Sequence, residues 1–121
     1  MGEFILWFED IGKGDREKVG GKSANLGEIA KLDVPVLPGF ATTTEAYDFF
    51  MKHTRIKNSV EELLRNLHPD DIHSLQETGK KVRKLIKDAH MPSKFRKRIL
   101  KAYHDLEDRL GIENPEVAVR S

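Results

Sequence analysis

Two long amphipathic helices are predicted in the second half of the chain, between about residues 70 and 110. Apolar residues recur there at alternating spacings of three and four, which places them on one helix face. They are Ile72, Leu75, Gly79, Val82, Ile86 and Ala89 in the first helix, and Phe95, Ile99, Ala102, Leu106 and Leu110 in the second. Asp70 or Asp71 suits the start of the first helix, and Gly111 the end of the second. Their short connection predicts an antiparallel helical hairpin.

Short strands alternate with helices in the first half of the chain. Phe4–Phe8 is an apolar run of strand length, and a second strand is predicted at Phe40–Thr42. Between them, a loop is predicted at Ile11–Arg16 and a helix after Gly20-Gly21, with Ser23 as a candidate cap. This helix is expected to end before Asp33, which can adopt the left-handed conformation. Strands followed by helices predict an α+β fold.

Two shorter helices and a terminal strand complete the predicted elements. Thr43 or Thr44 can cap one helix, and Ser59–Glu62 has the pattern of a capping box for the next. Glu116–Arg120 alternates as a strand does and leads to Ser121. A chain that stops within a strand resembles part of a longer one, so we expect an exposed edge and self-association.

Composition limits the classes of function that the chain can have. At 121 residues it is expected to form a single domain, and it has no cysteine, which excludes disulfides and thiolate metal sites. No apolar run approaches the ~20 residues of a membrane span, so we expect no membrane partner and a cytoplasmic location. The net charge is +1, and the basic block Lys80–Lys101 is better explained as a solvated helix face than as a nucleic-acid site. No spacing of carboxylates and histidines predicts a metal site.

The stretch VGGKSANLGE, residues 19–28, is the candidate binding site. Glycine N–H groups at Gly20 and Gly21, a helix N-terminus and the charge of Lys22 can converge on a phosphate group. The spacing matches neither of the two common phosphate-loop patterns. The residues alone therefore leave two interpretations open, a phosphate cradle and a plain capped helix start. Arg120 is similarly open, as a phosphate ligand at a strand end or as a surface arginine.

Four motifs in the order GGK, NLGE, PGFATT and AVRS resemble the phosphoenolpyruvate synthase family, within the wider group of pyruvate, phosphate dikinase-like enzymes. The similarity covers almost the whole chain, including the helical stretch DDIHSLQETGKKVRKLI. Ser23, Asp33 and Leu37 depart from the residues usual in that family. None of these departures removes a charged group from the candidate site.

The resemblance implies that residues 1–121 are the N-terminal segment of an ATP-grasp-type nucleotide-binding domain. It implies that Lys22 and Arg120 contact the phosphates of ATP, and that Gly20 and Gly21 let the backbone approach the nucleotide. In the complete synthase, ATP, pyruvate and water give phosphoenolpyruvate, AMP and phosphate through a phosphohistidine, with Mg²⁺. The partners implied are ATP and the remaining domains of the synthase, or a second chain.

The resemblance also implies what lies beyond Ser121. The second lobe of the nucleotide clamp, the Mg²⁺ ligands, the phosphohistidine and the pyruvate barrel are expected there, so this chain alone is not expected to catalyse the reaction. Two alternatives stay open. The chain could be a stand-alone, non-catalytic binding module, or the same lobe of a related dikinase or phosphotransferase.

Overall fold

The computed structural model describes residues 3–32 and 34–120. Over this part of the chain the elements are β1 (Ile5–Trp7), α1 (Arg16–Ala30), β2 (Phe40–Thr42), α2 (Thr44–His53), α3 (Lys57–Arg65), α4 (Ile72–Asp88) and α5 (Ser93–Leu110). Two 3-10 turns, Phe8–Asp10 and Lys13–Asp15, lead from β1 into α1. The helix-rich arrangement with a small sheet agrees with the predicted α+β class. The chain divides into two compact units, residues 1–47 with 93–121, and residues 48–92.

The two strands form an antiparallel pair in the first unit. Trp7 lies opposite Phe40 in the register, and their rings meet edge to face with centroids 5.3 Å apart. The Phe8 amide donates to the Gly39 carbonyl at 3.1 Å, which extends the pairing at one end. Both strands were predicted from the sequence. β1 is shorter than predicted because the chain turns into a 3-10 helix at Phe8.

Helix α1 approaches the loop after β1 so closely that only glycine fits at the contact. A β-carbon built at Gly27 would lie 2.3 Å from the Ile11 carbonyl oxygen and 2.7 Å from the Ile11 β-carbon. Ile11 is fully buried, and Gly27 is buried as well. Glycine in a helix interior is unfavourable by roughly 1 kcal/mol relative to alanine, so its presence here reflects the packing and not the helix.

Helix α5 packs against β1 through aromatic and cationic side chains. The rings of Phe4 and Phe95 meet edge to face at 5.8 Å, and Phe95 is buried. Near the other end of the helix, the Arg109 guanidinium lies 3.6 Å from the centre of the Trp7 ring and forms an ion pair with Glu9. Burial raises the pKa of Glu9, but the hydrogen bond and charge of Arg109 outweigh it, so the net shift of this pKa is downward.

Three helix boundaries have the capping residues predicted for them. The Thr43 hydroxyl accepts a hydrogen bond from the Ala46 amide at 3.2 Å at the start of α2. Asp71 accepts from the His73 amide at 2.9 Å at the start of α4. Gly111, with φ of 66°, ends α5 in the left-handed conformation. These three predictions are confirmed.

Two capping predictions are wrong because the helices begin earlier than the sequence pattern indicates. Helix α3 starts at Lys57, where Ile56 already has a helical backbone, so Ser59 lies inside the helix and the capping box does not form. Helix α1 starts at Arg16, so Ser23 is a helix-interior residue and not a cap. Helix α1 ends at Ala30, which agrees with the prediction that it ends before Asp33. The left-handed conformation predicted for Asp33 lies outside the described residues.

The predicted strand at Glu116–Arg120 is wrong for the described residues. Residues 115–120 belong to no helix or strand, and Val117 and Val119 are exposed. A strand needs a hydrogen-bonded neighbour, and β1 and β2 pair only with each other in this part of the chain. The alternating pattern alone therefore did not produce a strand. Ser121 lies outside the described residues.

The second unit contains α3 and α4, which pack against each other. Val60 on α3 is buried, but no residue of α4 is, and Ile72 and Leu75 on its apolar face are exposed. Helix α5 belongs to the first unit with β1. Both long helices exist close to their predicted bounds, and their antiparallel pairing stays a prediction.

Glu107 closes the C-terminal end of α5. Its carboxylate accepts a hydrogen bond from the Asn114 amide at 2.8 Å, and the His104 ring nitrogen Nδ1 lies 2.6 Å from its other oxygen. These two hydrogen bonds, the Asn114 one foremost, hold the pKa of Glu107 below its ordinary value. The charged Glu107 carboxylate therefore stabilises the turn that follows α5.

Alanine at Gly27 should destabilise the protein, because the new β-carbon requires α1 or the Ile11 backbone to shift. We expect the free energy of unfolding to fall by about 1–3 kcal/mol, measured by urea denaturation. Gly14→Ala is the matched control, since a β-carbon there meets nothing within 4 Å. Equal stability of the two variants would contradict the close contact.

Acidification should weaken the C-terminal end of α5. Because the folded pKa of Glu107 lies below its unfolded value, its contribution to stability is present above the unfolded pKa and is lost as pH falls through the folded one. We expect the free energy of unfolding to decline between about pH 5 and pH 3. In Glu107→Gln, whose amide oxygen can still accept from Asn114, the decline should be shallower, since only the other carboxylates, Glu9 among them, still titrate. Identical pH profiles for both proteins would exclude this role.

Candidate functional site

Helix α1 is broken at Gly20, within the candidate stretch. Gly20 has φ of 83° and ψ of 166°, a backbone conformation that side-chain-bearing residues rarely adopt. The helical path resumes at Gly21 and continues to Ala30. A helix that restarts in this way presents backbone N–H groups and the positive end of its dipole at the break. The sequence predicted a helix after the double glycine, and the segment that continues to Ala30 agrees with it; the short helical segment before Gly20 was not predicted.

Positive side chains surround the break. Lys22 lies on the exposed surface of α1, just after it. The Arg16 guanidinium lies over Gly21, where a β-carbon would be 3.5 Å from the Arg16 Nε atom. Two cations beside a helix start form a suitable environment for an anion with several charges. The sequence did not predict Arg16 as a site residue, because its approach to Gly21 depends on the backbone conformation of residues 16–21.

The loop before α1 folds back along the second segment of the helix. The Lys13 amide donates a hydrogen bond to the Glu28 carboxylate at 2.6 Å. A β-carbon at Gly12 would lie 3.0 Å from the Lys31 ammonium and 3.4 Å from the same Glu28 oxygen. The Gly12 amide donates to Asp15 at 3.0 Å, just before the helix begins. The loop leads into the first turn of α1, before the break, but its contacts are with the helical segment after the break.

Arg120 lies in the exposed segment after α5 and belongs to no helix or strand. Three of the four predicted site residues, Gly20, Gly21 and Lys22, are thus consecutive at the break in α1. The approach of Arg120 to them stays a prediction.

The described residues contain no cluster of carboxylates and histidines that could hold a metal ion. Over residues 3–32 and 34–120, no three such side chains come together. All five histidines are exposed. In the same ranges, every helix is too short or too polar to cross a membrane.

Comparison with known proteins links this chain to one family. Residues 16–121 match the family described as the pyruvate phosphate dikinase AMP/ATP-binding domain. A probable phosphoenolpyruvate synthase of Staphylothermus marinus is 42% identical over 121 residues, and one of Methanocaldococcus jannaschii is 39% identical over 119 residues. The phosphoenolpyruvate synthase of Pyrococcus furiosus is 37% identical over 150 residues.

These alignments cover most of this chain but little of each relative. Each includes 98% of the chain, against 14%, 10% and 18% of the three relatives in the same order. The chain therefore spans less than a fifth of the length of the synthases that it matches.

Alanine at Gly20 should strain the break, because φ of 83° with an extended ψ is almost exclusive to glycine. We expect a loss of stability on the order of 1–3 kcal/mol in thermal or urea unfolding. Gly21→Ala is the control next to it, since its β-carbon would make ordinary contact with the flexible Arg16 side chain. Should Gly20→Ala be as stable as Gly21→Ala, the break would not require glycine.

Proposed function

The chain belongs to the pyruvate phosphate dikinase AMP/ATP-binding domain family, and we propose that it binds the phosphates of ATP at the break in α1. Lys22 supplies a full positive charge to the phosphates, and the N–H groups around Gly20 and Gly21 donate hydrogen bonds to their oxygens. The observation that carries this proposal is the position of the break at Gly20 within the matched residues, with Lys22 two residues after it.

The described geometry fits a phosphate ligand in two respects. Gly20 leaves open space where a side chain would otherwise stand, since a β-carbon there meets nothing within 4 Å. The charges nearest the break along α1 are mostly positive, with Arg16 over Gly21 and Lys22 on the next residue. In phosphoryl-transfer proteins, positioning and neutralising the phosphate charges account for most of the protein's contribution.

Arg120 is the second phosphate contact in this proposal. Its guanidinium can bind phosphate oxygens in a bidentate manner, which a lysine cannot do. Arg120 lies at the end of the described chain and inside the residues that match the family. We assign it to the ATP site as the partner of Lys22 across the nucleotide phosphates.

We further propose that the chain is the N-terminal segment of an ATP-grasp-type domain in a phosphoenolpyruvate synthase. The complete enzyme would convert ATP, pyruvate and water to phosphoenolpyruvate, AMP and phosphate through a phosphohistidine. Mg²⁺ would neutralise phosphate charge there. In this proposal the Mg²⁺ ligands and the phosphohistidine belong to other parts of the synthase, so the chain alone would be inactive.

Calorimetric titration with ATP tests the binding site. We expect weak binding, because one part of a two-lobed clamp leaves much of the ligand exposed. Lys22→Ala should weaken it by about tenfold, since it removes one charged phosphate contact. Binding should also weaken with added salt and should decrease from ATP to AMP, because the contacts are to phosphates.

Lys52→Ala is the matched control, because it removes an exposed lysine of the same charge from α2. Its affinity for ATP should equal that of the unmodified chain. Tight binding that survives Lys22→Ala, or equal losses in both variants, would contradict the proposed site.

A further inference from the structure

We propose that Glu28 is a positioning residue for the phosphate site, although it lies almost at the other end of α1. Its carboxylate holds the loop before the helix against the second helical segment, and so sets the angle of the break at Gly20. The inference rests on the proposed function for its effect on ATP, but the geometric role can be tested without any nucleotide.

The argument begins with the flexibility of the break itself. Gly20 has no side chain and occupies a conformation outside the helical region, so the backbone there does not resist a change in angle. The first segment, Arg16–Val19, is about one turn long and cannot hold its own orientation. The angle between the two segments must therefore be fixed by contacts that span the break.

Besides the flexible Arg16 side chain over Gly21, contacts that span the break come from the loop ahead of the first segment. This loop leads directly into Arg16, and its Gly12 amide is bonded to Asp15 at the helix start. The Lys13 amide is bonded to Glu28, which lies in the second segment. The hydrogen bond at 2.6 Å is short and involves a charged acceptor, so it is among the stronger types. This hydrogen bond therefore links two residues that lie on opposite sides of Gly20 in the sequence.

The Ile11 contact with Gly27 makes the same connection two residues earlier in the loop and one residue earlier in the helix. That packing brings the loop close to α1 through van der Waals contact, which has little directional preference. The Glu28 hydrogen bond adds direction, because a backbone N–H must point at the carboxylate. Glu28 therefore orients the loop, and through the loop the turn that carries Arg16 to Gly21.

Amide hydrogen exchange and amide chemical shifts, both measured by NMR, test this role in the unmodified chain and in Glu28 variants. In Glu28→Ala we expect about tenfold faster exchange at the Lys13 amide, which loses its acceptor. We also expect the amide chemical shifts of Gly21 and Lys22 to change, because the angle of the break is no longer fixed. Glu28→Asp keeps the charge but shortens the side chain, so it should act in the same direction. Glu28→Gln keeps an acceptor oxygen of the same reach and should restore slow exchange.

Calorimetry with ATP provides the functional measurement. Glu28→Ala should bind ATP about five- to tenfold more weakly, and Glu28→Gln should bind as the unmodified chain does. Glu45→Ala, at an exposed glutamate of α2, is the control for loss of a negative charge. Exchange of the α5 amides shows that each variant remains folded.

The outcomes separate the two proposals. If the unmodified chain binds no ATP, the proposed function fails, and the amide chemical shifts of Gly21 and Lys22 still decide the role of Glu28. Faster exchange at Lys13 with unchanged Gly21 and Lys22 chemical shifts, in both Glu28→Ala and Glu28→Asp, would overturn the positioning role. So would an unchanged ATP affinity in Glu28→Ala when Lys22→Ala lowers it.

Discussion

The contact between Ile11 and Gly27 is the constraint on which the first unit depends. A helix can approach a backbone carbonyl as closely as α1 approaches Ile11 only where it has no side chain. That approach fixes the distance between the loop after β1 and the C-terminal part of α1. It also fully buries Ile11 between them. The position of Gly20 depends on this packing, because the loop and the first turn of α1 connect the two contact residues along the chain.

Packing against α5 stabilises the small sheet in addition to the hydrogen bonds between its strands. A two-stranded sheet is marginal in water, and here each strand has only three residues. Helix α5 covers β1 with Phe95 against Phe4 and with Arg109 against Trp7. The ion pair of Arg109 with Glu9 fixes the guanidinium over the indole ring. Residues near the N-terminus and residues of α5 therefore both stabilise β1, and the loop after β1 leads to the candidate site.

The family match and the local geometry are separate observations, and both favour phosphate binding at the candidate site. The match to an AMP/ATP-binding domain family says which kind of ligand to expect, but not how this chain would hold it. The break at Gly20, with Arg16 and Lys22 beside it, offers a positive surface for phosphates. Because the chain spans less than a fifth of its relatives, the remaining parts of a synthase would have to complete the site and supply its chemistry.

The sequence by itself determined the strands β1 and β2, the helices α2 to α5 and the family, because these depend on side-chain periodicity and motif order. At two helix starts it offered Thr43 or Thr44 and Asp70 or Asp71, between which it did not decide. It did not reveal the early start of α1, the failure of the strand at Glu116–Arg120, or the Glu28 contact with Lys13. Each of these depends on what another segment places nearby. Only the tertiary structure decided them, since backbone groups and charges find their partners across distances that a local pattern does not encode.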